Sequence, residues 1–472
     1  MTKPLSRREF LKDAALAPLV LTLLGEGRGL FAEGARRPNI ILFTSDDHSY
    51  GDLGCFGNPH VQTPNLDRFA SEGALFTQMY SPSAVCMPAR AAIMTGLYPH
   101  TSGGYRFGPL VKGTPTLVAL LKQAGYFTGV IGKCHLDPKE LYPFDYVWTT
   151  PNWGGAPTHE PEPFGEHMKE FLAAAGDKPF LLYANSSDPH RRWPNEGQGR
   201  GVRMVMGKKS PHTMDKVVVP GNLPDIPEVR EDLVCYYDAI WQLDATFGAV
   251  WDELVNSKRA DDTLTMFMGD NGIGLPMAKT TVYLAGVHLP FILRWPGVVK
   301  PGSRVDAKCS FIDIAPTCLD AAGAPVPRTM QGRSFLPLLQ GKTTKHRDEI
   351  FVSHTDHAVS SYPARGIITD RWQYIYNLRP EVKFESDARG SKTFRTMVKL
   401  SENDPAMAER VKAYHYRPRE ELYDIQADPW EQKNLAGKPE HAKVQKELYD
   451  RLRAKMTEIK DPWLNRMKPL GT

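Results

Sequence analysis

Two short polar segments, each directly behind an apolar run, hold the residue types that bind hard cations. Asp46-Asp47 follows Asn39-Ile40-Ile41-Leu42-Phe43-Thr44, and Asp270-Asn271 follows Met266-Phe267-Met268. Carboxylate and amide oxygens are the ligands calcium or magnesium prefers. A single such pair is more often a turn or a helix cap. Two pairs, each closing an apolar strand and each followed soon by glycine, point to one shared metal site. Between them stands Cys86-Met87-Pro88-Ala89-Arg90, inside SPSAVCMPARAAIMTGLYPH. A helix starting near Cys86 puts Arg90 one turn further on, able to reach back, and its N-terminus favours an anion there. Three further groups follow in chain order: Gly132-Lys133-Cys134-His135, Asp188-Pro189-His190-Arg191, and Lys279 nine residues past Asp270. Singly, such lysines are usually surface groups and such histidines structural.

Strand ends must deliver these residues. The continuous apolar run 39–44 reads as a strand buried on both faces of a mainly parallel sheet. Residues 117–124 read as a helix ended by Gly125, and 127–132, 180–185 and 263–268 repeat the strand pattern. Strands alternating with helices predict an α/β fold, with ligand sites beyond the carboxyl ends of the strands. Residues 336–342 close the large unit and 343–348 serve as linker. Beyond them, 349–353 and 372–377 look like strands of a smaller antiparallel sheet, with a helix over 444–456 packed on it. The polar, weakly patterned stretch 381–414 is expected to be a long irregular excursion. There is no internal repeat.

The Cys-x-Pro-x-Arg run, followed by a small-residue helix and Thr95-Gly96-Leu97-Tyr98-Pro99-His100, resembles the signature of the type I sulfatases. The resemblance implies an alkaline-phosphatase-like sandwich with a large mainly parallel central sheet, plus a smaller C-terminal α+β domain. In that family the cysteine is oxidised to formylglycine by a formylglycine-generating or anaerobic maturase. One hydroxyl of the aldehyde hydrate attacks sulfur; deprotonation of the second regenerates the aldehyde and expels sulfate, where a serine would leave a stable ester. Carried over residue by residue, the resemblance implies a calcium ion held by Asp46, Asp47, Cys86, Asp270 and Asn271. Arg90 would hold the hydrate, Lys133 and Lys279 would bind sulfate, His135 would take the hydroxyl proton, and His190 would protonate the leaving group. Cys134 stands where the family commonly has tryptophan. Tyr283-Leu284-Ala285-Gly286 departs from the usual Tyr-Glu-Gly-Gly. The ending Glu421-Leu422-Tyr423-Asp424, Asp428-Pro429-Trp430-Glu431 and Asn434-Leu435 matches the family tail, whose role is expected to be structural.

Residues 132–146, Asp188-Pro189-His190-Arg191, Ser361-Tyr362-Pro363-Ala364-Arg365 and 414–435 look like the sulfamidases, which remove N-linked sulfate from glucosamine in heparan-type chains. That likeness makes a sulfated glycan the expected substrate, with Asp188, Arg191, His354 and His357 as candidate sugar contacts. An O-sulfatase shares every core residue and differs in the context of 188–191 and 362–365. A phosphodiester or phosphonate hydrolase of the same superfamily, and a glycan-binding protein with unoxidised Cys86, are the other readings.

The chain has 472 residues, 41% hydrophobic and 24% charged, with a formal charge of +4. That near balance gives no argument for a nucleic-acid partner. Ser6-Arg7-Arg8-Glu9-Phe10-Leu11-Lys12 resembles the twin-arginine export signal, and the apolar run 14–24 after it suits a signal-peptide core. The expected organisation is therefore a signal and pro-segment over 1–35, a catalytic domain over 36–345 and a C-terminal subdomain over 346–472. Twin-arginine export places the protein in the periplasm or outside the cell. The six cysteines lack metal-type pairing, so buried free thiols are expected. A homodimer is expected from the resemblance.

Overall fold

The computed structural model describes residues 37–470 apart from 106–107, 198–201 and 358–359. The export signal lies outside the described residues. Eight strands form one sheet: β1 (Asn39–Ser45), β2 (Ala74–Phe76), β3 (Phe127–Gly132), β4 (Tyr146–Trp148), β5 (Phe180–Asn185), β6 (Thr263–Gly269), β7 (Phe291–Arg294) and β8 (Ser303–Val305). Their order across the sheet is β8-β2-β7-β6-β1-β5-β3-β4. β7 runs antiparallel to both neighbours, and the remaining pairs are parallel.

The continuous apolar runs arise because both faces are covered. On β1, Ile40 and Leu42 enter one core with Leu181, Tyr183, Leu264 and Met266. Ile41 and Phe43 enter the opposite core with Leu182, Ala184 and Phe267. Helix α1 (Cys86–Thr95) covers the first face; α2 (Pro161–Ala175) and the long α3 (Pro227–Asn256) cover the second. In α2, Phe164, Met168, Phe171 and Ala175 are buried at helical spacing, and Pro161 opens the helix without losing a needed hydrogen bond.

A second sheet follows: β9 (Ile350–His357), β10 (Ser360–Ile368), β11 (Trp372–Asn377) and β12 (Glu420–Asp424), all antiparallel. The stretch 381–414 is not irregular. It forms a 3-10 turn over Asp387–Gly390, then α4 (Lys392–Leu400) and α5 (Pro405–His415). Ser391 caps α4 by accepting from Phe394 N at 3.0 Å, and Asp404 caps α5 by accepting from Ala406 N at 2.9 Å. Few apolar residues are needed, because Phe394, Met397, Met407 and Tyr414 share a small cluster with Tyr362 and Phe384. Helix α6 (Ala442–Glu458) packs on one face of the second sheet through Leu448, Leu452 and Met456. The other face, with Val352, Ala364, Ile375 and Tyr423, rests on Ala84, Val282 and Val287. Those positions flank α1 and the Lys279 loop, so the second sheet buttresses the site. All six cysteines are free thiols. Among the described residues no helix is long and apolar enough to cross a membrane.

Candidate active site

β6, β1, β5 and β3 are consecutive and parallel, so their carboxyl ends lie along one edge of the sheet. Each chain leaves that edge carrying polar residues, and backbone bonds lock the exits together. Asp46 N donates to Asp188 O, Asp270 N to Ser45 O, and Lys133 N to Asn185 O, each at 3.0 Å. Asp47 adopts the left-handed conformation (φ 63) that a side-chain-bearing residue normally avoids. Its N–H donates to Asp270 Oδ1 at 3.1 Å. At Gly132 (φ +80) a Cβ would lie 1.9 Å from Asn185 O, so the turn delivering Lys133 requires glycine. Cys86, the first residue of α1, places its Sγ 3.2 Å from Asp46 Oδ1 and 3.9 Å from Asp47 Oδ1.

Three buried carboxylates, Asp46, Asp47 and Asp270, face three cations. Arg90 Nε donates to Asp270 Oδ2 at 2.9 Å with both side chains fully buried. Its Nη1 donates to Asn185 Oδ1 (2.8 Å) and Lys133 O (3.1 Å). Lys279 Nζ lies 2.6 Å from Asp47 Oδ1, and Lys133 pairs with Asp46. Burial works to raise the Asp46 carboxyl, but Lys133, then His190 and Arg90, outweigh it and hold it well below the usual range. Burial, then the charge of Asp46, pushes Asp270 up to about 7. The same two causes push the Cys86 thiol well above its ordinary value. Burial, helped by Lys133 and Arg90, lowers His135 to about 3, so its ring is neutral. His190 is lowered by burial and by Lys279. Its Nδ1–H donates to Arg191 O, and its Nε2 lies 3.8 Å from Asp47 Oδ2.

The tail of the chain holds the Lys279 loop. Leu284 N donates to Glu431 Oε2 and Tyr283 Oη to Glu421 Oε2, both at 2.7 Å. Thr280 N donates to Ala84 O at 2.8 Å, which ties the loop to α1.

Asp46, Asp47, Cys86 and Asp270 each offer an atom within 4.8 Å of the others. Asn271 Nδ2 donates to Asp47 Oδ1 at 2.7 Å, which leaves Asn271 Oδ1 buried with no hydrogen bond. An orphaned acceptor beside three carboxylates fits a hard cation. Arg90 Nη2 is buried and equally without a partner, an orphaned donor that fits an anion.

Above this floor lies a cavity lined by Asp47, His190, Arg191 and Lys279 on one side and by Ser386, Asp387 and Ala388 on the other. Arg191 lines it while donating to Glu196 Oε1 (2.5 Å) and Gly390 O (3.3 Å). Asp188, two residues before His190, is buried, its Oδ1 accepting from His159 Nδ1 at 2.9 Å. His357 Nε2 stands 3.5 Å from Asp387 Oδ2. Of the predicted sugar contacts only Arg191 is a lining residue; Asp188, His354 and His357 are not, and His354 is buried with its ring 6.4 Å from that of Phe384. Arg365 does not face the cavity either: it donates to Asp461 Oδ2 (2.6 Å) and His354 O (2.7 Å). Sequence reasoning missed His159, Ser386 and Asp387. Ser386 carries a capping signal for the turn after it, but no local pattern places that turn against the cavity.

The chain belongs to the sulfatase family and is a sulfate ester or sulfamate hydrolase: the Sulfatase family matches residues 38–324. The description "N-sulphoglucosamine sulphohydrolase, C-terminal" matches 277–386. The chain is 32% identical to human N-sulphoglucosamine sulphohydrolase, covering 91% of this chain and 92% of that protein. It is 26% identical to the N-acetylglucosamine-6-O-sulfatase of Bacteroides thetaiotaomicron, over 94% of this chain and 91% of that one. A solved structure in complex with its substrate D-glucosamine-2-N,6-O-disulfate shares the fold, with a TM-score of 0.69 at 22% identity. The match covers 90% of this chain and 99% of that one.

Proposed function

We propose that this protein is a formylglycine- and calcium-dependent sulfatase that removes N-linked sulfate from glucosamine in heparan- or heparin-type glycans. In this reading the twin-arginine route exports it to the periplasm or beyond, with residues 36–345 catalytic and 346–472 a supporting subdomain. The observation that carries the substrate is the 32% identity to the human N-sulphoglucosamine sulphohydrolase across 91% of the chain.

As encoded, the Cys86 thiol is a poor nucleophile, because burial and Asp46 keep it protonated. Oxidised to formylglycine, the residue would supply an aldehyde hydrate that attacks sulfur. Calcium held by Asp46, Asp47, Asp270, Asn271 and oxidised residue 86 would polarise sulfate and acidify the hydrate. Lys133 and Lys279 hold sulfate oxygens, and Arg90 Nη2 offers a further donor at the same place. His135, neutral, takes the proton released as sulfate is expelled. His190 protonates the leaving nitrogen, since an amide anion leaves too slowly unaided. An arriving sulfate monoanion raises that ring's affinity for its second proton, opposing the effect of burial.

The test is sulfate release from N-sulfoglucosamine and from glucosamine 6-sulfate. It uses protein co-produced with a formylglycine-generating enzyme, with calcium present and Cys86→Ala as control. Release from the N-sulfated sugar, abolished in the control and by chelation, supports the reading. Release from the 6-sulfated sugar alone overturns the substrate and keeps the chemistry.

A further inference from the structure

The cavity over Lys279 contains one feature that sulfate binding leaves unexplained. His190, Arg191 and Lys279 suit an anion, yet Asp387 brings a carboxylate to the same space. Of the two carboxylates among the described lining residues, Asp47 is 2% exposed and engaged by Lys279 and Asn271. The Asp387 side chain is 66% exposed, so a ligand can reach it. Its Oδ2 lies 3.5 Å from His357 Nε2, beyond ordinary hydrogen-bond length, which leaves it acceptor capacity for another donor.

The carboxylate stands on a built wall. Ser386 Oγ accepts from Ala388 N at 3.3 Å, which shapes the turn, and Arg191 donates to Gly390 O at 3.3 Å. Directly after it, Lys392 pairs with Glu231 (2.7 Å) and Thr393 N donates to Asp232 (2.9 Å), both on α3. A negative charge fixed at the mouth of an anion site repels the substrate, unless the ligand carries a cation or strong donors beside its sulfate.

Cleavage of an N-linked sulfate creates such a cation. Were residue 86 oxidised as proposed, sulfur would pass to its deprotonated hydrate oxygen, and the S–N electron pair would stay on nitrogen, which takes a proton from His190. The free amine takes a second proton from water and becomes an ammonium. Cleavage of an O-linked sulfate yields a neutral hydroxyl instead. We propose that Asp387, backed by His357, is the subsite for the sugar's amino group, binding the product ammonium and favouring 2-amino sugars. This rests on the N-sulfoglucosamine reading above.

The experiment is a ligand-observed NMR titration of the full chain with glucosamine and with glucose at pH 6, for wild type, Asp387→Asn and Asp387→Glu. Wild type should bind glucosamine more tightly than glucose. Asp387→Asn should weaken glucosamine by about five- to tenfold, as for one charge-assisted contact at a partly solvated site. Glucose binding should be unchanged, and Asp387→Glu should keep part of the preference. No preference for glucosamine in wild type, or equal weakening of both sugars in Asp387→Asn, overturns the assignment. The sulfate-release assay separates the two ideas. Release from N-sulfoglucosamine without amine selectivity removes the subsite alone. Amine selectivity without such release removes the substrate reading and leaves the subsite.

Discussion

Replacing Arg90 by methionine should destabilise the protein by about 3–5 kcal/mol, the effect of breaking a buried ion pair from one side. At the observed Arg90 Nε to Asp270 Oδ2 separation of 2.9 Å, Coulomb attraction at an effective dielectric near 20 is about 6 kcal/mol. Relief of the arginine's own burial offsets part of that, while Asn185 Oδ1 and Lys133 O lose a donor at about 1–3 kcal/mol each. The site would then hold Asp46, Asp47 and Asp270 against Lys133 and Lys279 alone. Asp270, already raised to about 7 by burial and Asp46, would keep its proton to higher pH. The folded state then binds a proton that the unfolded chain releases near 3.8, so stability falls as pH rises above that value. The loss should therefore be larger at pH 8 than at pH 5. The assay is equilibrium urea unfolding followed by tryptophan fluorescence, in chelator so that no cation contributes. Arg90→Met with Asp270→Asn should recover much of the loss, because the stranded charge is gone. A single-variant loss below about 1 kcal/mol, or a double variant no more stable than the single one, would refute the reasoning.

Acid should remove the stability that the buried histidines contribute. Burial lowers His48 and His288 to about 4 and His135 and His354 to about 3, from 6.5. The unfolded chain binds these protons first, so their contribution to stability is full above 6.5 and is lost as pH drops towards 4. In unfolding midpoints measured against pH, His288→Gln should lose less stability than wild type between pH 6.5 and 4. Gly132→Ala should cost at least about 1–2 kcal/mol from its left-handed backbone alone, with the Asn185 O clash at 1.9 Å adding to it. A midpoint equal to wild type would contradict this. Glu431→Ala should free the Lys279 loop by removing the acceptor of Leu284 N, lowering kcat/KM for sulfate release by about five- to tenfold. Glu431→Gln, which keeps an acceptor, should retain most activity; equal losses would show that the loop is held by other contacts.

Most of the candidate site's floor is legible in the sequence because its signals are local. A continuous apolar run marks a strand covered on both faces, and its first polar residues must emerge at the carboxyl end. The pattern alone therefore puts Asp46-Asp47, Lys133, His190 and Asp270-Asn271 at or just beyond strand ends. The helices within 381–414 escape the sequence pattern for the opposite reason. Helix α4 buries only Thr393, Phe394 and Met397, and their partners Tyr362, Phe384 and Tyr414 come from other segments. Helical spacing predicts that Arg90 reaches back towards residue 86. The structure instead pairs it with Asp270, 180 residues along the chain, and leaves only Nη2 for that role.

The sequence by itself thus determined the family, the α/β alternation and the residues at each strand end, since pattern and motif live within a few positions. Tertiary structure decided which charges neutralise one another, which tail residue carries the Lys279 loop, and that Ser386 and Asp387 wall the cavity. Those outcomes depend on distances of a few ångströms between groups far apart in the chain. In a water-poor interior such distances set both the strength of a charge pair and the protonation of each partner.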